Sequence, residues 1–340
     1  MSCSKPVALK ITDRFGVKHY ASDITGRPIK VPCGYCIGCK TDRINTWTNR
    51  ITYEYANRVS SFVALTYDDY HLNYNRGYYS PTLKREDLHK FVDNLRHYVS
   101  KHPDNSPGAT THFKVFAVGE YGGEKGRPHY HVLIMGLSPQ YCAGIIPKLW
   151  KKGHCRVDPM FRGSVSYVLK YMSKQQNKQY NKLHFTAFGL DKPFISASPG
   201  IGSVWYLSHA EEILKTGYIS DGGKCVPVPT YWKNKIFSHY GSLQSAKDMI
   251  EFKSRLNKQH DLEARNKGYW SYDTYVLEKA RITEIETVNE LRRQGIPVED
   301  YKNYGHVAYR VPKNYSLVKK YADNKKLAFK ALTGYEPKDY

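Results

Sequence analysis

Apolar residues recur along this chain in two rhythms, and the change of rhythm marks its elements. Residues 60–69, "SSFVALTYDD", form a short apolar run ending in polar residues, the pattern of a buried strand. A loop rich in Tyr, Asn and Gly follows. In "SPTLKREDLHKFVDNLRHYVSKH", Leu88, Phe91, Val92, Leu95 and Val99 fall at helical spacing, and Pro81 ahead of them suits a helix entry. "HFKVFAVGEYG" then predicts a strand, "GEKGRP" a turn and "HYHVLIMG" a second strand. "SPQYCAGIIPKLWKKG" predicts a helix broken or kinked at Pro147, and "HCRVDP" a short strand. "GSVSYVLKYMSKQQNKQ" predicts a helix that begins after Gly163 with Ser164 as its cap. From Ser61 to Gln179 the order is β-α-β-β-α-β-α, which predicts an α+β fold: an antiparallel sheet covered by helices in a ferredoxin-like arrangement.

The flanks carry weaker signals. Residues 1–32 read as an irregular arm. Residues 41–58 read as a helix with Ile44, Trp47, Ile51 and Tyr55 on one side. Beyond Tyr180, "PFISASPGIGSVWY" is loop-rich, and the prolines of "CVPVPTYWKNKIF" exclude a central strand. Residues 245–266 and 273–294 read as two polar helices, followed by a basic tail. The expected division is an N-terminal Cys-rich arm over 1–40, a central domain over 41–180 and a mainly helical accessory region over 181–340.

Charge narrows the choice of partner. Of the 340 residues, 52 are Lys or Arg against 31 Asp or Glu, a net charge of +21. That balance predicts a polyanion, because each neutralised phosphate releases condensed counterions. Thirty Tyr interleaved with the basic residues suit single-stranded nucleic acid, whose unstacked bases can lie on aromatic rings. No run reaches the roughly 20 apolar residues of a membrane span, and the first residues lack a signal-peptide core, so a soluble cytosolic protein is expected. Seven Cys, three of them within seven residues, argue for reduced thiols rather than a disulfide framework.

Three groups of residues carry candidate chemistry. Alternate residues of a strand share a face, so His129 and His131 project together while Tyr130 points the other way. Glu120 ends the preceding strand and is placed by the turn to face them. Two imidazoles and a carboxylate leave positions open for phosphate oxygens on Mg²⁺ or Mn²⁺; the alternative is a pair of structural histidines. Tyr167 and Tyr171 stand four residues apart, on one helix face, with Lys170 beside it and Lys174 one turn further. A phenol can attack a DNA phosphorus, giving a 5′-phosphotyrosine and a free 3′-OH, with lysines stabilising the charge that builds; the alternative is an amphipathic packing face. Finally, Cys33, Cys36 and Cys39 supply three thiols at C-x2-C-x2-C spacing, with Cys3 or a histidine as fourth ligand for a structural Zn²⁺. An iron–sulfur site or plain reduced thiols fit the same spacing. Cys142, Cys155 and Cys225 read as ordinary core residues, and His112 and His154 as surface or packing residues.

The stretches "PCGYCIGC", "FVALTYDD", "VGEYGGEKGRPHYHVLIMG" and "VSYVLKYMSK" occur in the order of a known family. Over residues 31–176 the sequence resembles the HUH endonucleases, and most closely the rolling-circle replication initiators of microviruses of the gokushovirus type. The resemblance implies an HUH nuclease fold related to ferredoxin and RRM sheets, metal ligation by His129 and His131 with Glu120 as third ligand, nucleophilic Tyr167 and Tyr171, and assistance from Lys170. Tyr130 between the histidines departs from the usual aliphatic residue. "ALTY" matches a strand motif linked to DNA contact, making Thr66 and Tyr67 binding candidates, with Arg127 and Lys174 as basic ones. The implied activity is metal-dependent nicking and strand transfer on single-stranded DNA at a replication origin. Host DNA polymerase and helicase are expected partners in the bacterial cytoplasm, since the chain has no ATP-binding loop. Relaxase- or transposase-like chemistry, or non-catalytic single-strand binding, are the alternatives.

Overall fold

The computed structural model describes residues 3–22, 26, 28–56, 58–102, 112–122, 126–173, 185–221 and 224–293. Two compact units divide these residues, one built from 46–208 and the other from the N-terminal residues to 45 together with those from 209. In chain order, the arm holds four short strands, β1 (Val7–Ala8), β2 (Lys10–Thr12), β3 (Lys18–Tyr20) and β4 (Lys30–Val31), and helix α1 spans Ile37–Tyr55. The central stretch runs β5 (Ser60–Tyr67), β6 (Asn73–Tyr74), β7 (Pro81–Thr82), α2 (Arg85–Lys101), β8 (Lys114–Tyr121), β9 (Pro128–Met135), α3 (Pro139–Leu149), β10 (Gly153–Pro159), α4 (Arg162–Ser173) and β11 (Phe194–Ala197). Then come α5 (Ser203–Ser208), α6 (Ala210–Thr216), β12 (Tyr218–Asp221), β13 (Lys224–Pro227), α7 (Thr230–Tyr240), α8 (Leu243–Asn266) and α9 (Tyr272–Arg293).

The expected β-α-β-β-α-β-α order is present, and its strands form one antiparallel sheet in the order β10-β5-β9-β8-β11. The first four strands have the split βαβ topology of a ferredoxin-like sheet. Alternation decides what each face carries. Val63, Leu65 and Tyr67 of β5, Val115 and Ala117 of β8, and Tyr130, Val132 and Ile134 of β9 share one face. They pack with Leu88, Phe91 and Leu95 of α2 and Ile145 and Ile146 of α3 in a continuous core. Each fully buried aliphatic or aromatic side chain of this kind contributes about 1.5–3 kcal/mol. The opposite face carries Phe62, Phe116, Leu133 and His131. Helix α4 buries Val165, Val168 and Leu169, and Trp47 of α1 lies 4.9 Å from Phe116, ring centre to ring centre.

A buried polar network ties the first face to the start of α2. The Tyr130 hydroxyl donates to the Lys84 carbonyl (2.7 Å), accepts from the Lys84 N–H (3.0 Å) and meets the Tyr67 hydroxyl at 2.7 Å. Tyr67 in turn donates to Asp87 (2.7 Å). Lys84 precedes α2 and its side chain makes no cap, so a hydroxyl from β9 serves the helix entry instead. Burial pushes the Tyr130 phenol up to about 12 and Tyr67 higher still.

Several elements differ from the sequence expectation. The arm is not irregular: β1 pairs with β4 and β2 with β3, short ribbons whose apolar content is too low to signal them. Helix α1 starts at Ile37, so Cys39 stands in its first turn. Pro81 belongs to β7, an edge position that needs no N–H, and not to the helix entry. Helix α3 continues through Pro147 to Leu149, capped by Ser138, whose Oγ accepts from the Tyr141 N–H (3.2 Å). Helix α4 starts at Arg162, and Ser164 reaches back to accept from the Phe161 N–H (3.2 Å). Strand β11 lies where the sequence predicts loop, and α7 follows prolines that mask it. Strands β12 and β13 form a separate two-stranded hairpin, consistent with the exclusion of a central strand. Helices α8 and α9 lie where two polar helices were expected.

Candidate active site

Register places the site. In the β8–β9 hairpin Glu120 is directly opposite His129, and directly paired residues of an antiparallel ladder share a face. His131, two residues on, shares it too. Glu120 Oε1 lies 2.9 Å from His129 Nε2 and 3.0 Å from His131 Nε2. Glu120 and His131 are buried and His129 half-buried, so the carboxylate is held in low dielectric with two imidazoles aimed at one of its oxygens.

The hydrogen bonds show what that arrangement lacks. His129 Nδ1 is 3.1 Å from the Arg127 carbonyl, which can only accept, so Nδ1 carries the proton. In the neutral ring Nε2 then offers a lone pair to a carboxylate oxygen that also offers lone pairs. Only a cation between them, a proton or a metal, makes 2.9 Å favourable. Bonds of about 2.1 Å meeting at right angles would separate two ligand atoms by about 3.0 Å, and the observed separations match. The fixed tautomer is also the usual outer-sphere support of a metal-binding histidine. Glu120, His129 and His131 thus form a candidate metal group whose geometry suits a hard, octahedral ion.

Helix α4 brings the phenols to the same place. The His131 ring is sandwiched between Phe62 (5.7 Å, 14°) and Tyr171 (5.4 Å, 5°), and the Tyr167 ring meets its edge at 5.1 Å. Burial holds His131 below the usual histidine range, which keeps it a neutral ligand. Tyr167 and Tyr171 are 5.3 Å apart and perpendicular, with Lys170 Nζ 5.1 Å from one ring centre and 5.6 Å from the other. The two phenols are not equivalent. Tyr171 is 8% exposed, and burial, with hydrogen bonding to Tyr167 and the charge of Glu120, pushes its phenol well above the usual range. Tyr167 is half-buried and reaches the open side of the site.

A family model of replication-associated proteins of the ORF2 type matches residues 60–176, the stretch that builds the sheet, the carboxylate–imidazole group and the tyrosine helix. The replication-associated protein ORF2 of Spiroplasma virus 4 is 27% identical over 269 residues, covering 69% of this chain and 80% of that protein. The chain resembles a microvirus-type replication initiator. The replication-associated proteins ORF4 of Chlamydia phage 1 and VP4 of Bdellovibrio phage phiMH2K are 27% and 26% identical, each over 60% of this chain and over 53% and 66% of their own lengths. These relatives support replication initiation as its role. No solved structure matches the chain.

Beside the candidate metal group and the tyrosines, the remaining sequence candidates fall differently. Thr66 pairs with His129 and lies on the site's face, half-buried. Tyr67 is fully buried on the opposite face in the network with Tyr130 and Asp87, so its side chain packs the core and offers DNA no direct contact. Arg127 holds the Tyr67 carbonyl (2.8 Å) and pairs with Asp69 at the rim. Lys174 lies outside the described residues. Two residues at the site escaped sequence reasoning. Phe62 was indistinguishable from any core aromatic, and His154, exposed and paired with Thr66, extends the row Glu120–His129–Thr66 to a fourth strand. Only the register, which a single sequence does not give, places it there. Cys142 is buried and Cys155 half-buried, as expected of packing residues, whereas His112 is exposed; the Cys225 side chain lies outside the described residues. Cys3, Cys33, Cys36 and Cys39 form a second candidate metal group. Among the described residues, no helix is long and apolar enough to cross a membrane.

Proposed function

We propose that this chain is a metal-dependent, site-specific single-strand DNA endonuclease and strand-transferase that starts rolling-circle replication of a phage genome. The observation that carries the reading is the convergence of Glu120, His129 and His131 against the rings of Tyr167 and Tyr171 on one face of the sheet. These three residues would hold Mg²⁺ or Mn²⁺, which supplies Lewis-acid polarisation of a phosphate oxygen when bound. The chain's own groups do the rest. A tyrosine Oη attacks phosphorus in line with the scissile bond, its proton passing to solvent or a neighbouring base. The bond from phosphorus to the 3′-oxygen breaks, and that oxygen takes up a proton to become a 3′-OH. Lys170 lies close enough to both rings to stabilise phenolate and phosphate charge. The phosphotyrosine conserves the phosphodiester, so attack by a later 3′-OH reverses the step and rejoins the strand without ATP. A second tyrosine allows a second cleavage while the first link persists.

The net charge of +21 suits capture of the DNA backbone, with Thr66, Arg127 and Lys174 as contact candidates. The free 3′-OH calls for a host DNA polymerase and, in the absence of an ATP-binding loop, a host helicase, which sets the reaction in the bacterial cytoplasm. Incubating the protein with single-stranded origin DNA and Mn²⁺ tests the reading: a covalent protein–DNA adduct supports it, and its absence with every divalent cation refutes it.

A further inference from the structure

The N-terminal arm has a problem of stability that the nuclease site does not address. Strands β2 and β3 are exposed at every position, and β1 and β4 are half-buried at best. Between Cys3 and Cys36, the described residues bury only Cys3, Ser4 and Cys36. An arm of this size has no hydrophobic core of its own, and short segments of this kind fold only with a cross-link or a metal.

The chain nevertheless closes four sulfurs onto one point. Pairing of Val7 with Val31 in β1–β4 brings the segments that carry Cys3 and Cys33 to the same end of the ribbon. Gly34, at φ +82°, turns the backbone through a conformation that other residues rarely adopt, which carries Cys36 back over Cys33. Cys39 follows in the first turn of α1. All four Sγ atoms lie within 4.8 Å of one another. Cys33 and Cys39 are 3.9 Å apart and Cys3 and Cys36 3.8 Å, far beyond a disulfide bond. Four thiolates about 2.3 Å from one tetrahedral zinc ion would be separated by about 3.8 Å. Backbone N–H groups point at the sulfurs, from Cys33 to Cys3 (3.3 Å), Cys36 to Cys33 (3.4 Å) and Cys39 to Cys36 (3.5 Å). Such donors offset the charge of clustered thiolates.

We infer that Cys3, Cys33, Cys36 and Cys39 bind one Zn²⁺ as a closed tetrathiolate, and that this ion holds the N-terminal arm to the start of α1. With all four positions taken by protein the site has no place for substrate, so its role is folding and not catalysis. Soft sulfur ligands separate it chemically from the oxygen–nitrogen group at Glu120, which suits a harder ion.

The test uses the full chain and reads the sulfurs, independently of nicking. Metal content is measured, and the metal-free protein is then titrated with Co²⁺. One zinc per chain, with sulfur-to-cobalt charge-transfer bands and the visible bands of tetrahedral cobalt, supports the inference. In the same experiment Zn²⁺ should slow alkylation of four of the seven thiols by about tenfold or more. Cys3→Ser should weaken zinc binding, and hydrogen exchange over residues 3–40 should rise when the metal is removed. Because a variant can misfold, the wild-type titration stands alone. Cobalt binding without charge-transfer bands, equal alkylation with and without zinc, two disulfides among these cysteines, or bound iron would each overturn it.

Discussion

Glu120→Gln isolates the charge of the candidate metal group while keeping its shape. Glu120 is buried and is the only anion of the three, its Oε1 lying 2.9 and 3.0 Å from the two imidazole nitrogens. Truncating the charge of one partner in a buried, hydrogen-bonded pair costs about 2–5 kcal/mol, and ~2.7 kcal/mol corresponds to a loss of ~100-fold in affinity. Linkage turns this into a thermal shift. With Mn²⁺ at about 100 times its dissociation constant, the wild-type protein gains about 2.7 kcal/mol. A variant with ~100-fold weaker affinity gains only about 0.4 kcal/mol at that concentration. For a unit of this size each kcal/mol moves the melting temperature by about 2–4 °C, so the shift falls from about 5–11 °C to about 1–2 °C. Mn²⁺ is a poor ligand for thiolates, which keeps the cysteine cluster out of the measurement. Thermal unfolding across a Mn²⁺ titration, with calorimetric affinities, reads the effect. A Glu120→Gln protein that keeps more than half the shift would refute the assignment of Glu120 as a ligand.

The other predictions concern the tyrosines and the sheet that carries the site. Tyr167 is the more accessible phenol and Tyr171 is packed flat on His131, so Tyr167→Phe should abolish first-strand adduct on an origin oligonucleotide while Tyr171→Phe keeps it; the reverse pattern would show that Tyr171 attacks first. Tyr130→Phe removes a hydroxyl that serves Lys84 N, Lys84 O and Tyr67 inside the core, and should cost about 2–4 kcal/mol in urea unfolding; a loss under about 0.5 kcal/mol would mean that the network contributes little. Gly153 opens β10 at φ +141°, where an added Cβ would meet the backbone of Thr66, Tyr67 and Asp68. Gly153→Ala should therefore lower stability by about 1–3 kcal/mol or more, and an unchanged denaturation midpoint would contradict that close approach.

What the sequence disclosed follows from the physics of each signal. Strands β5, β8 and β9 and helix α2 were legible because their apolar residues recur at periods that burial imposes, and the two-residue period alone put His129 and His131 on one face. Their convergence on a single oxygen of Glu120 rested on a short turn, and the register upheld it. The tyrosine pair was legible as spacing, but its asymmetry was not: that Tyr171 is buried and Tyr167 open depends on how α4 lies on the sheet. Tyr67 was misread because a motif's place in a strand says nothing of the face it uses, and its neighbour Thr66 holds the site side. Strand β11 stayed hidden because its four residues pair at the sheet edge and need no long apolar run. Ser164 was recognised as a cap but placed at the wrong end of its bond, since local polarity fixes the partner less well than the presence of a cap.

The central claim is that metal and tyrosine act together on DNA, and one assay addresses both. Wild-type protein, a His129→Ala/His131→Ala variant and a Tyr167→Phe/Tyr171→Phe variant are each incubated with single-stranded origin DNA, with Mn²⁺ or with chelator, and resolved under denaturing conditions. The account predicts a covalent adduct for the wild type with Mn²⁺ alone, and none for the chelated protein or for either variant. An adduct that survives loss of both tyrosines, or a folded wild type that forms none with any divalent cation, would contradict it.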